Sequence, residues 1–210
     1  MSEQPPTTVT MTSLLRFIAA DPIGKATVIS RLVAEYGEPY HPARDYWKQL
    51  RDGLRALHEA GLPADVLRGL VPAHNARKAQ NYELMIQGYE KWRARIDFSE
   101  PAFPERREWI FGDIAFLLNP EVAATIDGVP HVIKLHFRSE GKLRKRLADP
   151  MIAVMDHYYR EVGVASILDV RRARLFTARD VQGLPKLRTA MHGQASAFGA
   201  MWRDAQREVA

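Results

Sequence analysis

Between Glu121 and Phe137 the chain reads EVAATIDGVPHVIKLHF, and no other stretch constrains the fold as strongly. Asp127-Gly128 supplies the two positive φ angles that a tight type I′ turn demands. The flanking Val, Ile, Thr and Phe residues are strand formers. The pattern predicts a β-hairpin with strands over Val122–Ile126 and His131–Phe137. With Asp127 and Gly128 as the two loop residues, Ile126 faces Val129 and Glu121 faces Lys134. Alternation then places Glu121, Ala123 and Thr125 on one face with Pro130, Val132, Lys134 and His136. Val122, Ala124, Ile126, His131, Ile133 and Leu135 share the other face, which is the expected core side.

Before the hairpin the apolar period is helical. Residues 1–10 are polar and rich in Pro and Thr, and are expected to be a disordered tail. Helices are predicted from Ser13 as N-cap, over Lys25–Tyr36, over Ala43–Ala60 with Gly61 just past its end, over Ala64–Leu70 and over Ala76–Arg95. Together they make residues 11–97 a helical region. Pro101 and Pro104 mark 98–108 as a connector. The region 109–210 then reads as α+β: a strand Trp109–Leu118, the hairpin, a helix Leu143–Val162, short strands Ile167–Val170 and Arg174–Phe176, and a last helix Leu184–Arg207. The expected fold class is therefore α+β, a helical first half followed by a small mixed or antiparallel sheet in β-β-β-α-β order and a C-terminal helix.

Composition narrows the function classes. At 210 residues the chain can bury a sizeable core. Cysteine is absent, which excludes disulfides, thiolate metal sites and cysteine nucleophiles. No apolar run approaches the ~20 residues that span a bilayer. The opening segment lacks a basic stretch followed by a long apolar one, so no secretion signal and a cytoplasmic location are expected. The net charge of +5 is unevenly spread. Residues 1–100 hold 13 Lys and Arg against 12 Asp and Glu, whereas 131–188 hold 13 against 6. A local excess of this kind points to a polyanion partner, with a merely solvated basic face as the rival reading.

The basic residues fall around helix starts and turns. Arg138, Lys142, Arg144, Lys145 and Arg146 precede or open the helix after the hairpin. Arg171, Arg172 and Arg174 lie in the turn between the two short strands, and Lys186 and Arg188 open the last helix. Cations at a helix N-terminus oppose the macrodipole, so they add no local stability and fit better beside a bound phosphate or a packing partner. DNA or RNA held through phosphates is the primary expectation. The small residues of TAMHGQASAFGAM in the last helix suit a close helix neighbour, within the chain or in a second copy or protein partner. None of the seven histidines has a second ligand at metal-binding spacing, so they read as structural or exposed.

Acidic residues carry a second possibility. Asp113, inside the apolar run WIFGDIAFLL, must be exposed, paired or part of a site, because burying an unpaired charge is costly. Glu121 and Lys134 read either as an exposed cross-strand ion pair or as a carboxylate and lysine at a scissile phosphate. Over Trp109–Thr177 the β-β-β-α-β order resembles the core of the PD-(D/E)XK nuclease superfamily. That resemblance implies Asp113 or Asp127 as the first acid, Lys134 as the lysine, Mg²⁺ as cofactor and phosphodiester hydrolysis as the activity. Val132 stands where the family has Asp or Glu, and Glu121 is the candidate substitute. The phrases DGVPHVIKLHF and NARKAQNYELMIQGYEKW are also similar to those of uncharacterised bacterial proteins, which implies no activity.

Overall fold

The hairpin forms in the expected register. Asp127 and Gly128 adopt φ of +49° and +78°, Ile126 pairs with Val129, and Val122 pairs with Ile133. The computed structural model describes residues 6–38, 45–138 and 141–209. In chain order the elements are β1 (Thr7–Thr10), α1 (Met11–Ala19), α2 (Pro22–Gly37), α3 (Lys48–Glu59), a 3-10 stretch Ala64–Leu70 and α4 (Ala76–Arg93). They continue with β2 (Phe98–Ala102), β3 (Arg107–Phe111), β4 (Ile114–Leu118), β5 (Val122–Ile126), β6 (Val129–His136) and α5 (Lys145–Tyr159). The chain ends with β7 (Val164–Asp169), β8 (Arg174–Thr177) and α6 (Leu184–Val209). The fold is α+β, with two mixed sheets and a C-terminal helix.

The main sheet runs β2-β5-β6-β7-β8, its neighbours in space also neighbours in sequence order within the sheet. Only β6 and β7 are parallel. A parallel pair needs a crossover connection, and α5 is that crossover. A second sheet, β1-β4-β3, pairs β1 with β4 in parallel and β3 with β4 antiparallel.

Both faces of the main sheet are buried. Val122, Ile126, Ile133, Leu135 and Leu168 pack under α3 and α4, against Leu50, Leu54, Tyr82, Ile86 and Tyr89. Val132, Ala165 and Ile167 pack on the opposite side with residues of α1, α2, α5, α6 and the small sheet. The hairpin face expected to meet solvent is therefore covered as well. The helices of the first half divide accordingly, α1 and α2 to one side of the sheet, α3 and α4 to the other.

Three further expectations are corrected. Thr7–Thr10 is a strand within the expected tail, held by parallel pairing to β4 and ended by Thr10, whose side chain caps α1 in place of Ser13. The connector contains β2, which tolerates Pro101 because it is an edge strand with an irregular register and Glu100 at φ +51°. The run Trp109–Leu118 is two strands, because Gly112 takes φ +60° and turns the chain at Gly112-Asp113. The expected start of the third helix at Ala43 lies outside the described residues.

Gly88 sets how closely α4 approaches the sheet. A Cβ there would stand 2.1 Å from the Val170 carbonyl oxygen, so only hydrogen lets α4 rest on the turn Val170–Arg172. Gly88→Ala should cost about 1–3 kcal/mol of stability by overpacking, read as a lower urea midpoint with an unchanged m-value.

Candidate nucleic-acid interface

Of the four residues implied by the nuclease resemblance, the structure joins two. Lys134 and Glu121 form a direct ion pair. The Lys134 ammonium also donates to the Asn119 carbonyl at 3.1 Å, and the second Glu121 oxygen accepts the Leu135 N–H at 2.6 Å. Their side chains are only 9% and 14% exposed, so this is a buried pair and not an exposed one. The cause is the second covered face of the sheet. Both carboxylate oxygens are engaged, which makes Glu121 a fixture of the sheet edge.

Asp113 and Asp127 lie elsewhere. Asp113 sits in the β3–β4 turn, half exposed and bonded to Arg203 of α6 at 2.8 Å. It is separated from Asn119 by the whole of β4, about 20 Å at the usual strand rise. Asp127 is at the opposite end of β5 from Glu121, where its carboxylate accepts the Asp97 N–H at 2.9 Å. These carboxylates do not share a site, and among the described residues no cluster of His, Asp and Glu is arranged to hold a metal ion. The Mg²⁺ implied by the resemblance thus has no grouped ligands among Asp113, Glu121 and Asp127.

The basic residues separate into two groups. Lys145 and Arg174 border a groove of about 200 Å³ that also contains Asp149 and Asp180. Lys145 bonds the Asp180 carbonyl at 2.9 Å and the Asp149 carboxylate at 3.0 Å, and the Arg174 guanidinium lies 4.6 Å from the Phe176 ring centroid. That side is neutralised. Lys142, Arg144 and Arg146 are exposed around the start of α5. The apolar stripe of α6, Met191, Ala195, Phe198, Trp202 and Ala205, is covered by the chain's own core. A Cβ on Gly199 would meet Ile114 at an ordinary 3.7 Å and one on Gly193 would meet open space, so neither glycine is required by a close neighbour among the described residues.

The second group makes the site. Arg171 and Arg172, in the turn after β7, face Arg77, Gln80, Asn81 and Leu84 of α4 across a cleft of about 400 Å³ completed by Gly141. Arg138, just after β6, brings its guanidinium side to within 3.8 Å of the position a Cβ on Gly141 would take. The cleft thus opens off the carboxyl ends of the parallel pair β6 and β7, the place where open sheets of this type present ligand-binding loops. Among the described residues, no Asp or Glu lines it. Asp169, 2% exposed, holds the wall from behind: it accepts the Leu143 N–H at 3.0 Å and pairs with Arg172 at 3.5 Å. Arg77, Gln80 and Asn81 escape a reading confined to the basic C-terminal half. Their signal is the i, i+3, i+4 spacing of a polar stripe beside the buried face of α4.

Burial disfavours the charged form of three histidines. Burial lowers His58 to a pKa of about 4, with Arg93 adding to the effect. Burial likewise lowers His136 to about 4, against the attraction of Asp169 and with Arg138, Lys134 and Arg172 reinforcing it. His131 is lowered by burial and then by Arg179, and bonds Ser166 at 2.8 Å.

Lys134→Met should destabilise the chain by about 3 kcal/mol or more, because it strands the buried Glu121 charge; a double-mutant cycle with Glu121→Gln, followed by urea unfolding, would show the coupling. The histidines give a pH signature. Between pH 6.5 and about 4 the unfolded chain binds His58 and His136 protons that the folded chain refuses. Stability present above about pH 6.5 should therefore be lost as pH falls toward 4. Urea midpoints across that range would follow it, and His136→Asn should flatten the slope.

Compared with protein-family models, curated proteins and solved structures, the chain finds no match.

Proposed function

We propose that the chain binds nucleic acid through its phosphates, in the cleft between α4 and the Val170–Arg172 turn. The observation that carries this reading is the convergence of three guanidinium groups, one of them paired with Asp169 behind the wall, and two side-chain amides on one concavity. Arginine presents a rigid fork of donors that matches phosphate oxygens in a bidentate manner. Asn81 and Gln80 add neutral donors on the opposite wall. Arg138 extends the positive surface past the rim. Lys145 and Arg174 stay outside the interface, since their groove carries its own acids.

Contacts of this type fix the backbone and read little sequence. The DNA or RNA partner would therefore be bound with strong salt dependence. Three phosphate contacts predict a loss of about 20- to 50-fold in affinity between 50 and 200 mM salt. Fluorescence anisotropy with labelled DNA and RNA oligonucleotides measures this directly. Arg171→Glu should weaken binding by about tenfold or more, since it removes one contact and adds a repulsive charge. Absence of binding at 50 mM salt, or an Arg171→Glu protein that binds as the parent does, would reject the proposal.

A further inference from the structure

We infer that the nucleic acid taken by this cleft is single-stranded, and that Tyr46 is the platform on which one of its bases stacks. This rests on the phosphate-binding reading above. The Asn81 amide, part of the cleft wall, donates to the Tyr46 hydroxyl at 2.8 Å. The buried Tyr82 hydroxyl donates to the Tyr46 carbonyl at 2.8 Å. Tyr46 is thus fixed from both ends beside the cleft residue Asn81, yet it remains 38% exposed. The Lys78 ammonium lies 5.5 Å from its ring centroid.

Behind Tyr46 stands an aromatic layer that supports it. Tyr46 meets Trp47 edge-on at 4.7 Å. Trp47 is itself stacked on Tyr82 at 5.6 Å and on Phe137 at 5.7 Å. Phe137 immediately precedes Arg138, so the layer joins α4 to the end of β6. Core packing accounts for Tyr82, which is fully buried, but it does not account for an exposed tyrosine locked in place against the cleft residue Asn81.

A duplex keeps its bases stacked inside and offers a protein mainly its backbone, whereas a single strand can splay a base onto an aromatic ring. Aromatic platforms beside a positively charged groove are how sequence-tolerant single-strand binders work. At about 400 Å³ the cleft has room for one nucleotide's phosphate and sugar.

The test is anisotropy of the full chain at low salt, with a labelled 12-mer as DNA and as RNA, each single-stranded and as the matching duplex, and with inorganic polyphosphate as competitor. The expected result is single-strand binding about tenfold tighter than duplex binding. Tyr46→Ala should abolish that preference while polyphosphate still competes, and Tyr46→Phe should restore it. Thermal melting by circular dichroism verifies that the variants are folded. Equal affinity for single strand and duplex in the parent protein overturns this inference and leaves the phosphate reading in place, as does a folded Tyr46→Ala protein that keeps its single-strand preference. No binding to any of the probes rejects both.

Discussion

The main sheet is buried on both faces, and most of the structure's other features follow from that arrangement. A sheet covered on one side only would leave Glu121 and Lys134 in water, as an ordinary cross-strand pair of small consequence. Covered on the second side by α5, α6 and the helices of the N-terminus, the same two residues become a buried pair whose hydrogen bonds must all be met. The Asn119 carbonyl and the Leu135 N–H meet them. Neutral His136 at the next position on that face obeys the same rule, since burial disfavours its charged form more than Asp169 favours it.

Two-sided cover also fixes where a ligand can approach. With helices over both faces, the open ground near the sheet is at its ends. At the carboxyl end of β6 and β7, Gly88 lets α4 rest directly on the Val170–Arg172 turn, and this contact brings Arg77, Gln80 and Asn81 opposite Arg171 and Arg172. Positive charge is then concentrated by geometry more than by composition. Lys145 and Arg174 belong to the same basic stretch of sequence, yet their groove is neutralised by Asp149 and Asp180.

Much of the fold was legible because it rests on local rules. Asp127-Gly128 admits few turns, so the hairpin and its register could be read in advance, down to the Glu121–Lys134 pairing. The helical apolar period before the hairpin marked α4 in the same way. The misreadings arose where a local signal was interrupted or outvoted. The apolar run Trp109–Leu118 reads as one strand, and Gly112 makes a turn within it because β3 and β4 can pair when the chain folds back there. Thr7–Thr10 consists of the strand formers Thr and Val but is too short to stand out beside Pro5 and Pro6, and it is a strand because β4 offers it a parallel edge.

What the sequence by itself determined is the chemistry available: no thiols, a basic excess in 131–188, strongly patterned helices and one well-specified hairpin. Only the tertiary structure decided which of those groups meet. Asp113, Glu121 and Asp127 stand close in sequence and are held apart by extended strands, each of which carries the chain about 20 Å. Arg77 and Arg171 are far apart in sequence and share a cleft, because a helix from the first half packs against a turn from the second. Periodicity specifies which face of an element is buried, but not which other element buries it, and that choice of partner is what builds the site.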